Sequence, residues 1–113
     1  MKLHITKDQS KGMLGGVSFQ LEAKVELTQK EAELVKKYKA DKESLIQKEI
    51  TVFGKTLAFD LKIENLVRGE TFRCRDISDI LETEASVKEA CARFKSYIEA
   101  MGSFGGRETS EYS

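Results

Sequence analysis

The side chains able to hold an anion fall in two clusters. In the run Lys11-Gly12-Met13-Leu14-Gly15-Gly16, three glycines would let consecutive backbone N–H groups turn inward as an anion-binding nest, with Lys7 and Lys11 on the approach. The run lacks the Gly-Lys-Ser/Thr ending of a P-loop, and it joins two strand patterns where a P-loop would enter a helix. Arg73 and Arg75 would share one face of a strand about 7 Å apart, a spacing at which two guanidinium groups can grip a phosphate or carboxylate. Arg68 stands just before them. The candidate ligand-binding residues are therefore Lys11, Gly12, Met13, Gly15, Gly16, Arg68, Arg73 and Arg75. Against this stands a plainer reading. The glycines would form an ordinary hairpin loop, and the arginines would serve solubility and cross-strand pairing with Glu49, Asp60 or Glu64. Met13 and Leu14, apolar at an expected loop tip, point to contact with a partner or another subunit.

Catalytic equipment is sparse. His4 is the only histidine, whereas a nucleophilic triad needs a histidine beside a serine or cysteine and a metal site usually needs several ligands. Alternation with Leu3 and Ile5 makes it an outward strand residue. Cys74 and Cys91 lie 17 residues apart with no CxxC, which reads as two reduced, buried small hydrophobes in a cytosolic protein. Most carboxylates have ordinary solvated or capping roles. Glu84, in an apolar column of a helix, would point outward near the helix edge or pair with a basic residue across an interface. No metal, cofactor or enzymatic activity is expected on this inventory.

The elements that must position these residues are read from periodicity. Leu3 and Ile5 alternate with polar neighbours as a short first strand, and Asp8 to Gly16 reads as a loop. From Val17 to Leu27 the alternation is faultless, which marks a strand with one buried and one solvated face. Thr28-Gln29-Lys30-Glu31 has the form of a capping box opening a short helix with the narrow stripe Leu34, Val35 and Tyr38. Ile46, Lys48, Ile50 and Val52 form one strand face, Gly54-Lys55 a turn, and Leu57, Phe59, Leu61 and Ile63 the returning strand. Asn65 to Gly69 reads as a turn or a single helical turn, and Thr71 to Arg75 as a last short strand.

The final element is a long helix capped by Asp76 and ended by Gly102. Ile77, Glu84, Cys91 and Ile98 share one heptad column, and Ile80, Val87, Phe94 and Met101 the other. The whole is an α+β fold: an antiparallel sheet of four to five strands, one short central helix and one long C-terminal helix. It forms a single domain over 1–101, with a flexible tail over 102–113.

Composition sets the outer bounds. The 113 residues are 40% hydrophobic and 34% charged, which suits one folded domain with a real core. No apolar run is long enough to cross a membrane. With 19 basic against 19 acidic residues the chain lacks the surplus of a dedicated nucleic-acid binder. Charge is nonetheless uneven. Residues 1–75 hold 15 Lys and Arg against 11 Asp and Glu, and residues 76–113 hold 4 against 8, so an acidic final helix would pack on a mildly basic sheet.

A helix from Ile77 to Met101 would be about 37 Å long, overhanging a compact chain whose radius of gyration should be near 13 Å. A second copy covering Val87, Cys91, Phe94, Ile98 and Met101 is then the expected assembly, most simply a dimer. The leading functional expectation is a non-catalytic cytosolic protein that self-associates and acts through protein–protein contacts, as an adaptor or a small inhibitor of a larger machine. The alternative is capture of a small phosphorylated ligand such as a nucleotide signal by the glycine loop and arginines. A small enzyme is the third reading.

Overall fold

A computed structural model describes residues 1–11, 16–52 and 55–103, with the backbone alone at 50–52, 55, 57 and 58. The order is β1 (Lys2–Lys11), β2 (Val17–Glu26), α1 (Gln29–Lys37), a 3-10 turn (Ala40–Lys42), β3 (Ser44–Val52), β4 (Lys55–Lys62), α2 (Ile63–Arg68), β5 (Glu70–Cys74) and α3 (Ile77–Ser103). The fold is α+β with five antiparallel strands, and they divide into two sheets. β1-β2-β5 form one and β3-β4 the other. Alternation tells which face a residue takes and is silent on which strand lies beside it, so the division was not legible beforehand.

In the larger sheet, Leu21, Ala23, Val25 and Cys74 are buried on one face, with Leu3 and Ile5 half-buried beside them. The other face carries Lys2, His4, Lys24, Glu26 and Arg73 in water. β1 continues through Asp8 to Lys11, where a loop was expected, because its amides ladder with β2 as far as Lys11 opposite Val17. The inward positions there are Lys7, Gln9 and Lys11, which carry no apolar signal. In the smaller sheet Val52 stands opposite Lys55, so Lys55 belongs to β4; the connection at 53–54 lies outside the described residues.

Thr28 caps α1 as its sequence implies. Its hydroxyl accepts from the Glu31 N–H at 3.2 Å, and its own N–H donates to the Glu31 carboxylate at 2.9 Å. Residues 63–68, expected at most as one helical turn, form α2, which buries Ile63 and Leu66 and closes on Gly69 at φ +99°, a conformation that favours glycine.

α3 packs against β2, β3 and β5, with α1 against its C-terminal end. Its first intrahelical bond runs from the Ile80 N–H to the Asp76 carbonyl, which makes Asp76 the N-cap residue. Gly102 is inside the helix, which runs to Ser103, rather than its terminator.

The long helix is covered from within the chain. Ile80, Val87, Ala90, Phe94, Ile98 and Met101 are all buried, because two separate hairpins extend beneath it. The molecule is accordingly drawn out to 63 × 30 × 22 Å, with a radius of gyration of 17.3 Å rather than the compact ~13 Å. The expected charge match is also internal. Lys7 of β1 meets Glu84, while Lys48 of β3 donates to the Ser86 hydroxyl and stands 3.9 Å from Glu82.

Candidate functional site

The two heptad columns of α3 have different fates. Ile80, Val87, Phe94 and Met101 point into the core. Ile77, Glu84, Cys91 and Ile98 run along the side that flanks β1, and they pass from open to covered. Ile77 is 60% exposed and its neighbour Leu81 59%, Cys91 is half-buried, and Ile98 is buried. Of the expected self-association residues, Val87, Phe94, Ile98 and Met101 therefore find their cover inside one protomer, and only Cys91 remains partly open.

Contacts fix how α3 lies over β1. Lys7 Nζ donates to Glu84 Oε2 at 2.9 Å, and Met1 and Leu3 share an open groove of about 330 Å³ with Cys91, Lys95 and Ile98. The helix thus runs antiparallel to β1. The N-terminal ammonium meets the Glu31 carboxylate at 3.0 Å at the same end. Among the described residues β1 is an edge strand of ten residues with β2 on one side only, so a row of its backbone donors and acceptors faces outward.

Of the two readings of Glu84, outward at the helix edge or paired with a basic residue, the structure has the pairing, made within the chain: the carboxylate is held between Lys7 and Lys88, the latter at 3.1 Å. Hydrogen bonds from Lys7, then from Lys88, hold its carboxyl below the ordinary carboxylate range. A depressed folded value means the pair contributes stability above the unfolded value of about 4.3 and loses it as pH falls through the folded one. Glu84→Gln is expected to lower the urea midpoint at pH 7 and to have little effect at pH 3. A midpoint loss of equal size at both pH values would show that packing, not charge, holds the side chain.

The candidate anion-binding residues are split by the fold. Gly12, Met13 and Gly15 lie outside the described residues. Lys11 and Gly16 are exposed at the hairpin end of the larger sheet, and a Cβ on Gly16 would meet nothing within 4 Å. The register brings Arg73 opposite Gln20, and Arg75 follows just past the end of β5, so both arginines reach the same end. Arg68 does not. It sits beyond the other end of β5, about 15 Å away by strand rise, with Glu70 at 3.8 Å. Asp60 and Glu64, suggested as cross-strand partners of the arginines, pair with Lys62 and Lys42.

Burial pushes the Cys74 thiol up, and likewise that of Cys91, which disfavours the nucleophilic thiolate. His4 is on the solvated face, 2.9 Å from Glu26, whose carboxyl that hydrogen bond holds low. No three His, Cys, Asp or Glu side chains among the described residues are grouped to hold a metal ion. No described helix is long and apolar enough to cross a membrane.

The fold and this surface define an α+β protein in which a long helix lies across two antiparallel sheets and β1 is an edge of the larger one among the described residues. No family model, curated protein or solved structure matches the chain. Sequence reasoning missed the open edge because the second half of β1 is polar on both faces. The one available signal was negative: no residue between Asp8 and Lys11 forbids a strand.

Proposed function

We propose that the chain is a non-catalytic binding module that self-associates and acts through protein–protein contacts, as an adaptor or small inhibitor of a larger assembly does. The observation that carries this reading is the open ten-residue edge of β1 flanked by Ile77 and Leu81, two large apolar side chains more than half in water. Raised thiols and a solvent-facing histidine support the non-catalytic part, and two free cysteines suit a reducing cytosol. Light scattering at micromolar concentration is expected to give a particle of twice 12.7 kDa; a 12.7 kDa particle would overturn self-association.

A second reading rests on Arg73 and Arg75 lying at the hairpin end of the larger sheet, with Gly16 at the same end and Lys11 there on the opposite face. There a small phosphorylated ligand would be gripped by guanidinium groups. Its test is thermal unfolding with a panel of nucleotides, since a tight ligand raises the transition by mass action. A rise that persists unchanged in the Arg73→Ala, Arg75→Ala variant would remove these residues from the site.

A further inference from the structure

We propose that the partner seated on β1 is β1 of a second copy, paired antiparallel across a two-fold axis that passes at Ile5. This rests on the self-association reading and specifies its geometry. Antiparallel self-pairing of an edge strand makes one continuous sheet from two protomers, here β5-β2-β1 continued by the partner's β1-β2-β5.

The register follows from which side chains may stand opposite one another. Leu3, Ile5 and Lys7 face the helix side, and His4 and Thr6 face water. A slip by one residue would place one copy's inner face beside the other's outer face, so the axis must fall at a residue and not between two. At Lys7 it would set two ammonium groups directly opposite. At Thr6 both Ile5 and Leu3 would face polar residues, the partner's Lys7 and Gln9, which leaves no apolar pair across the axis. At His4 it would set two imidazoles together and stand Lys2 against the partner's Thr6, with no charge pair made. At Ile5 it sets Ile5 against itself, Lys2 against the partner's Asp8, and His4 against the partner's Thr6, with the charge pair made twice by symmetry.

Leu3 then faces the partner's Lys7. A lysine on an edge strand ordinarily guards it against pairing, but the Lys7 ammonium is drawn up to Glu84 on the helix side. The same axis settles the flank. Because α3 runs antiparallel to β1, the two-fold carries the exposed Leu81 at one end toward the partner's groove of Met1, Leu3, Cys91 and Ile98 at the other. A surface with an apolar overhang at one end and an apolar groove at the other is complementary to itself, as an isologous interface requires.

The experiment is disulfide trapping in a Cys91→Ser background, with oxidised glutathione as oxidant and light scattering before oxidation. Residues directly opposite in an antiparallel pair have Cα atoms about 4.5–5.5 Å apart, within disulfide reach. Ile5→Cys is expected to give a covalent dimer, whereas Gln9→Cys, whose copies would lie about 27 Å apart along the strands, is expected to give none. Asp8→Lys should weaken dimerisation about tenfold, since it replaces two exposed ion pairs by two repulsions. A dimer that traps through His4→Cys or Gln9→Cys in place of Ile5→Cys overturns the register and leaves self-association standing. A monomer before oxidation overturns both.

Discussion

Phe94→Ala is expected to lower the free energy of unfolding by about 3–5 kcal/mol, roughly a fifth or more of the 5–15 kcal/mol usual for a domain. Phe94 is 0% exposed and sits in the buried column of α3, between Val87 and Met101. Its loss leaves a cavity that the surrounding packing can only partly close, so the cost exceeds the transfer free energy of the ring. The readout is the denaturant midpoint at unchanged slope. The result also separates two roles for the column. If Phe94 faced a second copy, alanine would reduce the particle mass while each protomer kept its midpoint at low concentration. With the ring inside one protomer, the midpoint falls at every concentration.

That distinction marks where sequence and structure part. The column Ile80, Val87, Phe94 and Met101 was plain from its spacing, and it is a real apolar stripe. What covers it was not. Periodicity reports that a face is buried, and burial by a neighbouring hairpin of the same chain leaves the same pattern as burial by a second chain. Strand β2 was legible over nearly its whole length because α3 dries one face and water wets the other. The capping box of α1 was legible because its two hydrogen bonds are local, three residues apart.

Features fixed by distant contacts were not legible. Glu84 looked out of place in an apolar column, and its explanation lies 77 residues away in Lys7. Lys48 looked like a fault in a strand face, and it is satisfied by the Ser86 hydroxyl beside Glu82. α2 buries only Ile63 and Leu66, too few positions for a helical period to show. The arginines announced themselves by charge, yet only the ladder between β2 and β5 shows that Arg73 and Arg75 lie at the hairpin end while Arg68 lies at the other.

Phe59→Ala is expected to be the second most costly of these changes, at about 3 kcal/mol or more, and to act unevenly across the molecule. Among the described residues no ladder of backbone hydrogen bonds joins β3-β4 to the other sheet. A two-stranded hairpin is marginal by itself in water, so this one depends on side chains that tie it down. Leu45, Ile46 and Leu61 join the common core, the Phe59 ring stands 5.5 Å from that of Phe72 on β5, Arg93 of α3 donates to the Leu45 carbonyl at 2.9 Å, and Lys48 reaches Ser86. Phe59 is buried, and its ring contact with Phe72 bridges directly from one sheet to the other. Without it the hairpin should open locally at a lower free energy than the rest of the fold. Native-state hydrogen exchange is then expected to quicken in the amides of β3 and β4 well before those of β1 and β2. Uniform quickening across both sheets would show instead that the two sheets unfold as one unit, and that the ring contributes to a shared core with no special part in joining them.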